Sequence, residues 1–365
     1  MSTHLEASLD AQLERMERAR EHRRTRYVFK DTRITLSHGS GGKASHDLLD
    51  GLIFPALGES ALGTTDDAAV LAPTGDHRLA FTTDSYVVSP IEFPGGDIGT
   101  LAVHGTVNDL AMAGATPLYI SLGLILEEGL ESTLLRRVLQ SAARAALASG
   151  VRIATGDTKV VPRGKADGIF VNTSGVGIVR HGIALSQGAA RVGDRVIVSG
   201  HVGDHGMAVM LAREALELDA EIVSDTASLT SLVAALLTAA PGTRTLKDPT
   251  RGGVATSLNE IARQSRIGIV VEEELIPVHS EVRAACEILG IDPLHIANEG
   301  KLLAIVPPGE AHAALAALRA HPLGASAAIV GEVVAEPEGM VVLRTGIGGS
   351  RVLDMLVGDP LPRIC

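Results

Sequence analysis

The order of apolar and polar positions divides the chain at about residue 33. Residues 1–33 are densely charged and contain no glycine, so at best they form one amphipathic helix, with its apolar stripe at Leu5, Leu9, Leu13 and Met16. From residue 34 onward, short apolar runs typical of strands alternate with longer stretches of helical periodicity. This alternation predicts an α/β (or α+β) protein that follows a charged N-terminal extension.

The alternation is clearest in the first half of the chain. We predict a helix over "DIGTLAVHGTVNDLAMAGA", with Asp97 as its N-cap and Gly114 as its stop. A second helix is predicted over "ESTLLRRVLQSAARAALASG", and strands over "HRLAFTTDSYVV", "TPLYISLGLIL", "VRIATGDTKVV" and "GIFVNTSGVGIVR". The pattern restarts near residue 190 with "GDRVIVSGHVGDHGMAVMLAREAL". We therefore predict domains at residues 34–187 and 188–340, and a loose C-terminal tail at residues 341–365.

Composition restricts the classes of partner. The formal net charge of −11 at pH 7 argues against nucleic acid or an anionic membrane as the main partner. No stretch approaches the roughly eighteen apolar residues of a membrane span, and the first residues lack the apolar core of a secretory signal. Two cysteines suit a reducing compartment. We expect a soluble cytoplasmic protein with an aliphatic core, because aromatic residues make up only 2% of the chain.

The glycine loop "SHGSGGKAS" has features of two phosphate-binding motifs but satisfies neither fully. A Walker A loop fails because Ser37 stands where its first glycine belongs and Ala44 follows the lysine. A dinucleotide-binding fingerprint fits loosely through Gly39, Gly41 and Ala44. The segment is either a plain flexible loop or a loop that covers phosphate groups.

Aspartates in small-residue loops are the more informative signal. One such aspartate is usually a turn or a helix cap, but this chain repeats the pattern several times. Converging carboxylates repel one another unless a divalent cation lies between them, and Mg²⁺ joins carboxylates to nucleotide phosphates. The sequence therefore predicts ATP bound through Mg²⁺. The candidate aspartates are Asp66, Asp67, Asp84, Asp109, Asp157 and Asp248.

The stretch "DPTRGGVATSLNE" adds a candidate anion-binding group. Arg251 and Gly252 open a predicted helix, where a guanidinium and free backbone amides suit an anion. The alternative is a salt-bridged first turn of the helix.

These loops occur in the order seen in the ATP-binding superfamily of aminoimidazole ribonucleotide synthetase and selenophosphate synthetase. Within that superfamily the chain resembles the HypE family of hydrogenase maturation proteins over residues 35–365. The resemblance rests on "HGSGGKA", "FTTDSYVVSPIEFPGGDIG", "TGDTKVV", "VSGHVGDHG", "RGGVATSLNE", "IANEGK" and the terminal "PLPRIC". Residues 1–33 have no counterpart in the family's usual start.

The resemblance implies a two-domain fold whose N-terminal domains pair into a shared β-barrel in a homodimer, with a flexible C-terminal tail. It also implies a reaction. A carbamoyltransferase of the HypF type loads a carbamoyl group onto the terminal thiol, and the HypE-like protein uses ATP to dehydrate it to a thiocyanate. The cyanide then passes to a HypC–HypD scaffold complex and becomes an iron ligand of a [NiFe] hydrogenase.

Roles for single residues follow from the same resemblance. Cys365 carries the substrate, Lys159 and Glu299 match residues near the modified tail, and Asp157 either joins the metal ligands or orients Lys159. The matching metal ligands are Asp67, Asp84, Asp109 and Asp248, and Asp66 is their neighbour in the sequence. The candidate cofactor-binding residues are Gly39, Gly41, Gly42, Lys43, Asn108, Asp157, Arg251 and Gly252.

The position of Cys365 agrees with this chemistry. A carried substrate must visit a donor, the ATP and an acceptor, and the stretch from Val357 to Cys365 reaches at most about 28 Å when extended. Pro360 and Pro362 stiffen that reach. The other cysteine, Cys286, lies among apolar residues of a predicted helix and is expected in the core.

Two alternative functions stay open from the residues. A selenophosphate synthetase-like enzyme is expected to carry a reactive cysteine or selenocysteine near the glycine loop, and "SHGSGGKAS" has none. A non-catalytic maturation scaffold would bind partners without turning over ATP. The aspartate loops and the Lys159 and Glu299 motifs weigh against the scaffold.

Overall fold

The computed structural model describes residues 30–31, 35–39, 42–53, 67–71, 78–214, 221–356 and 363–365. The chain forms two compact units, one of residues 1–63 with 357–359 and the other of residues 64–356 with 360–365. The predicted N-terminal helix, together with Gly41 and Asp66, lies outside the described residues.

The first unit contains the glycine loop. A 3₁₀ turn spans Leu36–Gly39. Helix α1 (Lys43–Leu48) follows, with Gly42 at its N-cap position and Lys43 paired to Asp47 at 3.1 Å. It continues into a π-helical turn at Leu49–Ile53.

The second unit begins with a five-stranded sheet. Its strands are β1 (Ala69–Val70), β2 (Arg78–Tyr86), β5 (Ala115–Glu127), β6 (Arg152–Val161) and β7 (Ile169–Val179), in the order β1-β2-β7-β5-β6. The short strands β3 (Glu92–Phe93) and β4 (Gly96–Asp97) pair separately. Neighbours in the sheet are antiparallel except β5 and β6, which are parallel. Strand β6 is an edge strand and is exposed along nearly all of its length.

Helix α2 (Ile98–Met112) packs against this sheet and is buried on almost every side. The helix can be buried in this way because small or apolar residues occur on all of its faces. The predicted cap is confirmed, since the Asp97 carboxylate accepts hydrogen bonds from the backbone amides of Gly99 and Thr100 at 2.7 and 3.0 Å. Such a cap contributes about 1 kcal/mol. The predicted stop is confirmed as well, because Gly114 has φ +71°, a conformation that glycine adopts without strain. Helix α3 (Ser132–Ala148) covers the outer side of α2.

A seven-stranded sheet follows in the second half of the unit. Its strands are β8 (Arg195–Val198), β9 (Thr245–Lys247), β10 (Gly268–Glu272), β11 (Leu303–Val306), β12 (Ala328–Val334), β13 (Met340–Arg344) and β14 (Ser350–Val352), in the order β14-β13-β10-β12-β8-β11-β9. The helices of this half are α4 (Asp204–Glu214), α5 (Thr230–Ala239), α6 (Gly253–Ser265), α7 (Ser280–Leu289) and α8 (Ala311–Arg319). The core around them is aliphatic, as composition predicted.

The structure differs from the tail expected to begin at residue 341. Residues Met340–Arg344 form β13, which pairs with β10 in parallel, and β14 pairs with β13. The reason is the apolar run Met340–Leu343, which is buried in the core of the sheet. Among the described residues, no helix combines the length and the apolar character needed to cross a bilayer.

Candidate active site

Three of the predicted metal ligands meet in the second unit. Asp67 precedes β1, Asp109 lies on the last turn of α2, and Asp248 follows β9, yet their carboxylate oxygens lie within 4.8 Å of one another. We call these three residues the acidic cluster. Thr82 donates a hydrogen bond to Asp109 at 2.7 Å and so fixes one of its oxygens. Hard oxygen donors at this spacing are the ligands that Mg²⁺ prefers.

The electrostatics of the acidic cluster suit a bound divalent cation. Burial and the charge of Asp84 raise the pKa of Asp109 well above its usual range. Burial and the charge of Asp67 raise the pKa of Asp248 to about 8. Carboxylates that are costly to ionise together become stable when a divalent ion neutralises them. The residues therefore fit Mg²⁺ by their chemistry as well as by their spacing.

Lys247 is a member of this region that sequence reasoning missed. It lies directly before Asp248, and its ammonium pairs with Asp67 and, at 3.2 Å, with Glu260. Burial alone would lower the pKa of Lys247, but these carboxylates raise it above its ordinary value. The lysine stays charged and offsets part of the repulsion in the acidic cluster. The position of a lysine directly before Asp248, in "LKDPTRGG", was the sequence signal that could have identified it.

Asp84, the fourth predicted ligand, lies beside the acidic cluster without belonging to it. Its carboxylate accepts a hydrogen bond from the Tyr86 hydroxyl at 3.1 Å. Its charge still raises the pKa values of Asp109 and Asp248. Asp84 is thus close enough to interact with an ion bound by the acidic cluster.

Glu299 is a buried acid, and its side-chain oxygen Oε1 receives no hydrogen bond from the described residues. Burial, followed by the charges of Asp248 and Asp225, raises its pKa well above the usual range, and Arg251 partly opposes this. The loop itself is fixed by Asp225, which accepts hydrogen bonds from the amides of Glu299 and Gly300 at 3.0 and 3.2 Å. An unpartnered buried carboxylate costs stability, which is typical of a functional group.

Asn108, a predicted cofactor-binding residue, bonds through its side chain to the backbone of other loops. Its amide nitrogen donates to the carbonyls of Ala227 and Glu299, at 3.0 and 3.3 Å, and its oxygen accepts from the Leu229 amide at 2.8 Å. The side chain is buried and its polar atoms serve the backbone of two distant loops. Its position on α2 therefore fixes the Glu299 loop.

The end of the chain docks in the second unit. The Val87 amide donates to the Cys365 carbonyl at 3.2 Å, and the Ser89 amide donates to the Arg363 carbonyl at 3.1 Å. The Ile364 side chain is buried, and Cys365 packs against the same apolar cluster while staying partly accessible. The terminal residue is thus both held and reachable.

Arg251 connects the docked terminus to the acidic groups. The negative charge of Cys365 is the main cause that raises the pKa of the Arg251 guanidinium, followed by the charges of Asp84 and Glu299. The adjacent Gly252 has φ +75°, and a side chain there would collide with Thr256, so glycine is required at the start of α6. The charges of Cys365, Asp84 and Glu299 therefore all act on the Arg251 guanidinium.

Lys159 and Asp157 lie together on β6, and Asp157 is not a member of the acidic cluster. Their side chains are exposed and form an ion pair at 2.5 Å, and Lys159 lowers the pKa of Asp157. Of the two possibilities for Asp157, this placement favours orientation of Lys159 over metal ligation. Both residues line a cavity of about 430 Å³ together with Tyr86 and Val87. Val87 is the residue whose amide binds the terminal carbonyl.

Cys286 is a core residue, as predicted. It is 2% exposed on α7, and burial raises the pKa of its thiol to about 11. A thiol with such a pKa is almost entirely protonated at neutral pH and reacts slowly. Of the two cysteines, Cys365 is the more accessible.

Comparison with known proteins identifies the family. Residues 65–179 match the N-terminal domain of the AIR synthase related proteins, and residues 191–344 match the C-terminal domain. The chain is 54% identical over 341 residues to the carbamoyl dehydratase HypE of Rhodobacter capsulatus, which covers 93% of this chain and 100% of that protein. The chain belongs to the HypE family.

Solved structures of HypE proteins have the same fold. A HypE–HypF complex has a TM-score of 0.80 and 45% identity, covering 85% of this chain and 99% of the other. A HypE in complex with ATP has a TM-score of 0.77 and 50% identity, covering 91% of this chain and 100% of the other. These matches confirm the two-domain fold of the aminoimidazole ribonucleotide synthetase type that the motifs of this HypE-family chain predicted.

Proposed function

We propose that this protein is an ATP-dependent carbamoyl dehydratase that acts on its own C-terminal cysteine. The S-carbamoyl group on Cys365 loses the elements of water and becomes a thiocyanate, while ATP becomes ADP and phosphate. The observation that carries the proposal is the docked terminus, which binds Val87 and Ser89 through its backbone and whose charge acts on Arg251 together with those of Asp84 and Glu299. A tethered substrate at this point has the proximity advantage of an intramolecular reaction.

The proposed reaction has three steps. The carbamoyl oxygen attacks the γ-phosphorus of ATP, and ADP leaves. The nitrogen gives up its two protons. The carbon–oxygen bond then breaks, phosphate departs with the oxygen, and the carbon–nitrogen triple bond forms. An amide oxygen is a poor leaving group, which is why phosphorylation has to precede its departure.

Glu299 is the proposed base for the nitrogen protons. Its Oε1 is buried and free of hydrogen bonds from the described residues, so it can accept a proton. Arg251 offsets negative charge at the terminus, and Lys159 is the proposed cation for the departing phosphate. Asp157 holds the Lys159 ammonium through its ion pair.

We assign Mg²⁺ to the acidic cluster, with Asp84 as a fourth carboxylate, because the spacing and the raised pKa values of Asp109 and Asp248 both suit a divalent ion. The ion would join the carboxylates to the ATP phosphates and neutralise their charge. Gly39, Gly42 and Lys43 of the glycine loop stay predicted phosphate-binding residues.

The partners follow from family membership. A structure of a HypE–HypF complex supports a carbamoyltransferase of the HypF type as the donor to Cys365. We propose a HypC–HypD scaffold complex as the acceptor of the cyanide, and the cytoplasm as the compartment. Loading and transfer both require the terminus to leave its dock.

We also propose that the protein is a homodimer paired through the first sheet. Strand β6 is an exposed edge, and the sheet bears exposed apolar side chains at Tyr119 and Val160, which are 52% and 67% exposed. A long exposed edge strand with apolar neighbours favours pairing with a second chain.

Replacing Tyr119 by aspartate is expected to convert the dimer to a monomer, because a charge would be buried in the interface. Analytical ultracentrifugation measures the change. The matched control is Leu147→Asp, on the outer face of α3, which is 76% exposed and should leave the dimer intact. A monomeric unmodified protein, or a dimeric Tyr119→Asp, would contradict the assignment.

Mass spectrometry of the C-terminal peptide tests the reaction. After incubation with its carbamoyltransferase and carbamoyl phosphate, Cys365 is expected to gain one carbamoyl group and then to lose one water only when Mg–ATP is present. Cys365→Ala should gain nothing. If the carbamoyl group forms and ATP never removes water, the scaffold alternative is favoured. If Cys365 stays unmodified beside an active transferase, the terminal thiol is not the carrier.

A further inference from the structure

The docked terminus is bound through its backbone. Val87 and Ser89 donate to the carbonyls of Cys365 and Arg363, two residues apart on each side, which is the spacing of antiparallel strand pairing. This pairing by itself does not set a register, because a shift by two residues would preserve it. Other groups must fix which residue stands beside Arg251.

His205 contacts the carbonyl that the strand pairing leaves out. Its Nε2 lies 2.9 Å from the Ile364 carbonyl oxygen, and since a carbonyl only accepts, Nε2 carries the hydrogen. The ring is fully buried, with Nδ1 2.7 Å from Ser224 Oγ and with Phe93 packed edge-on at 5.4 Å. Burial lowers the pKa of His205, so the neutral ring carries its hydrogen on Nε2, and Nδ1 accepts from the Ser224 hydroxyl. The same hydroxyl accepts from the Thr226 amide.

Arg213 contacts both partners of the pairing. Its Nε donates to the Ser89 carbonyl at 2.8 Å and its Nη2 donates to the Arg363 carbonyl at 2.7 Å. The planar fork of a guanidinium makes such a double contact rigid. The Ile364 side chain, 5% exposed, fills a place in the apolar cluster behind these groups. One apolar anchor and two carbonyl contacts therefore fit a single register.

We propose that His205 and Arg213 are positioning residues that fix the register of the C-terminal tail, so that the carbamoylated thiol of Cys365 stops beside Arg251 and Glu299. The effect on dehydration rests on the proposed function, whereas the register itself rests on the contacts of the tail. It gives a role to His205 in "GHVGDHG", a motif to which the aspartate-based ATP site assigns none. Neither residue touches the reacting atoms, since both bind backbone atoms of the tail.

The exposure of the Cys365 thiol should depend on the hydrogen bonds that hold the tail. Each hydrogen bond lost from the dock is expected to raise the fraction of undocked tail by about two- to tenfold. The thiol of Cys365 should then react correspondingly faster with a thiol reagent. When His205 and Arg213 are both replaced and the undocked tail prevails, dehydration at saturating ATP should fall clearly, while either single replacement should have little effect on it. The KM for ATP should stay constant.

Thiol labelling tests the dock without the enzyme reaction. In a Cys286→Ala background, His205→Phe and Arg213→Gln should each accelerate labelling of Cys365, and His205→Gln, which can still donate, should restore most of the protection. Arg319→Gln is the matched control, because Arg319 also donates to a backbone carbonyl, that of Ala327 at 2.9 Å, away from the tail. Unchanged labelling in both dock variants would overturn the proposal.

A replacement in the tail tests the dock without changing His205 or Arg213, whose replacement could itself disturb folding. Ile364→Asp lies at the chain end, removes the apolar anchor and should accelerate labelling and slow single-turnover dehydration of pre-carbamoylated protein while the melting temperature stays constant. Labelling as slow as in the parent would overturn the docked register. A different outcome separates the two proposals. If labelling responds as expected but neither the parent nor any variant dehydrates its carbamoyl group, the docked register is supported and the proposed function is wrong.

Discussion

Replacing Glu299 by glutamine is expected to slow dehydration of carbamoylated Cys365 by about one hundredfold to ten-thousandfold, the range contributed by a positioned general base. Glutamine keeps the size of the side chain but cannot take a proton. The loop should stay in place, because its contacts with Asp225 and Asn108 use backbone atoms of residue 299. The loss should therefore be in the chemical step, with ATP binding nearly unchanged.

Single-turnover kinetics measure this effect directly. The protein is first carbamoylated without ATP and then mixed with Mg–ATP, and water loss at Cys365 is followed with time. The control is Glu332→Gln, which removes a half-exposed carboxylate paired with Arg195 and should stay within about twofold of the parent. A Glu299→Gln protein that dehydrates at the parent rate would show that another group takes the protons.

The pH dependence of the same reaction has a definite sign. Burial raises the pKa of Glu299, so the carboxylate form that accepts a proton becomes more abundant as pH rises. The dehydration rate of the parent should therefore increase with pH through that pKa. In Glu299→Gln the corresponding rise should disappear.

Local signals predicted the elements that carry their own pattern. Asp97 and Gly114 bounded a helix because caps depend on a few neighbouring residues. The loops of Asp67, Asp109 and Asp248 were found for a similar reason, since small residues beside a carboxylate form a local signature. The choice of which aspartates share one metal site came from the family resemblance.

Contacts between distant residues escaped prediction. Asn108 binds backbone atoms at residues 227, 229 and 299, more than 100 positions away, and nothing near residue 108 encodes those partners. Lys247 meets Asp67 across 180 positions for the same reason. The apolar strand after residue 340 was read as tail, because a short run alone does not reveal that β10 accepts it.

Replacing Asp109 by asparagine is expected to affect activity and stability in opposite directions. Activity should fall by at least about one hundredfold, because Mg²⁺ loses one of its carboxylates where ATP must be held. The ion-free protein should become more stable, since a half-buried carboxylate that is costly to ionise is replaced by a neutral group of equal size. Thr82 can still donate to the asparagine oxygen, so packing is preserved.

The sign of the stability change follows from the pKa of Asp109. Burial and the charge of Asp84 raise that pKa in the folded state. Between the pKa of the unfolded chain and this higher value, Asp109 is protonated in the folded protein and ionised in the unfolded chain. The stability of the ion-free parent therefore declines as pH rises through the interval between the two pKa values. Asparagine removes this decline, and at neutral pH we expect a melting temperature higher by roughly 2–4 °C, the shift that about 1 kcal/mol produces.

Thermal unfolding with and without Mg²⁺ separates this mechanism from general damage. Mg²⁺ should stabilise the parent, because an ion that binds only the folded state shifts the unfolding equilibrium, and it should stabilise Asp109→Asn much less. The control Asp354→Asn changes an exposed carboxylate and should alter neither quantity. An Asp109→Asn protein that melts below the parent in the absence of ions would show that the carboxylate supports the fold, and the acidic cluster would then be structural.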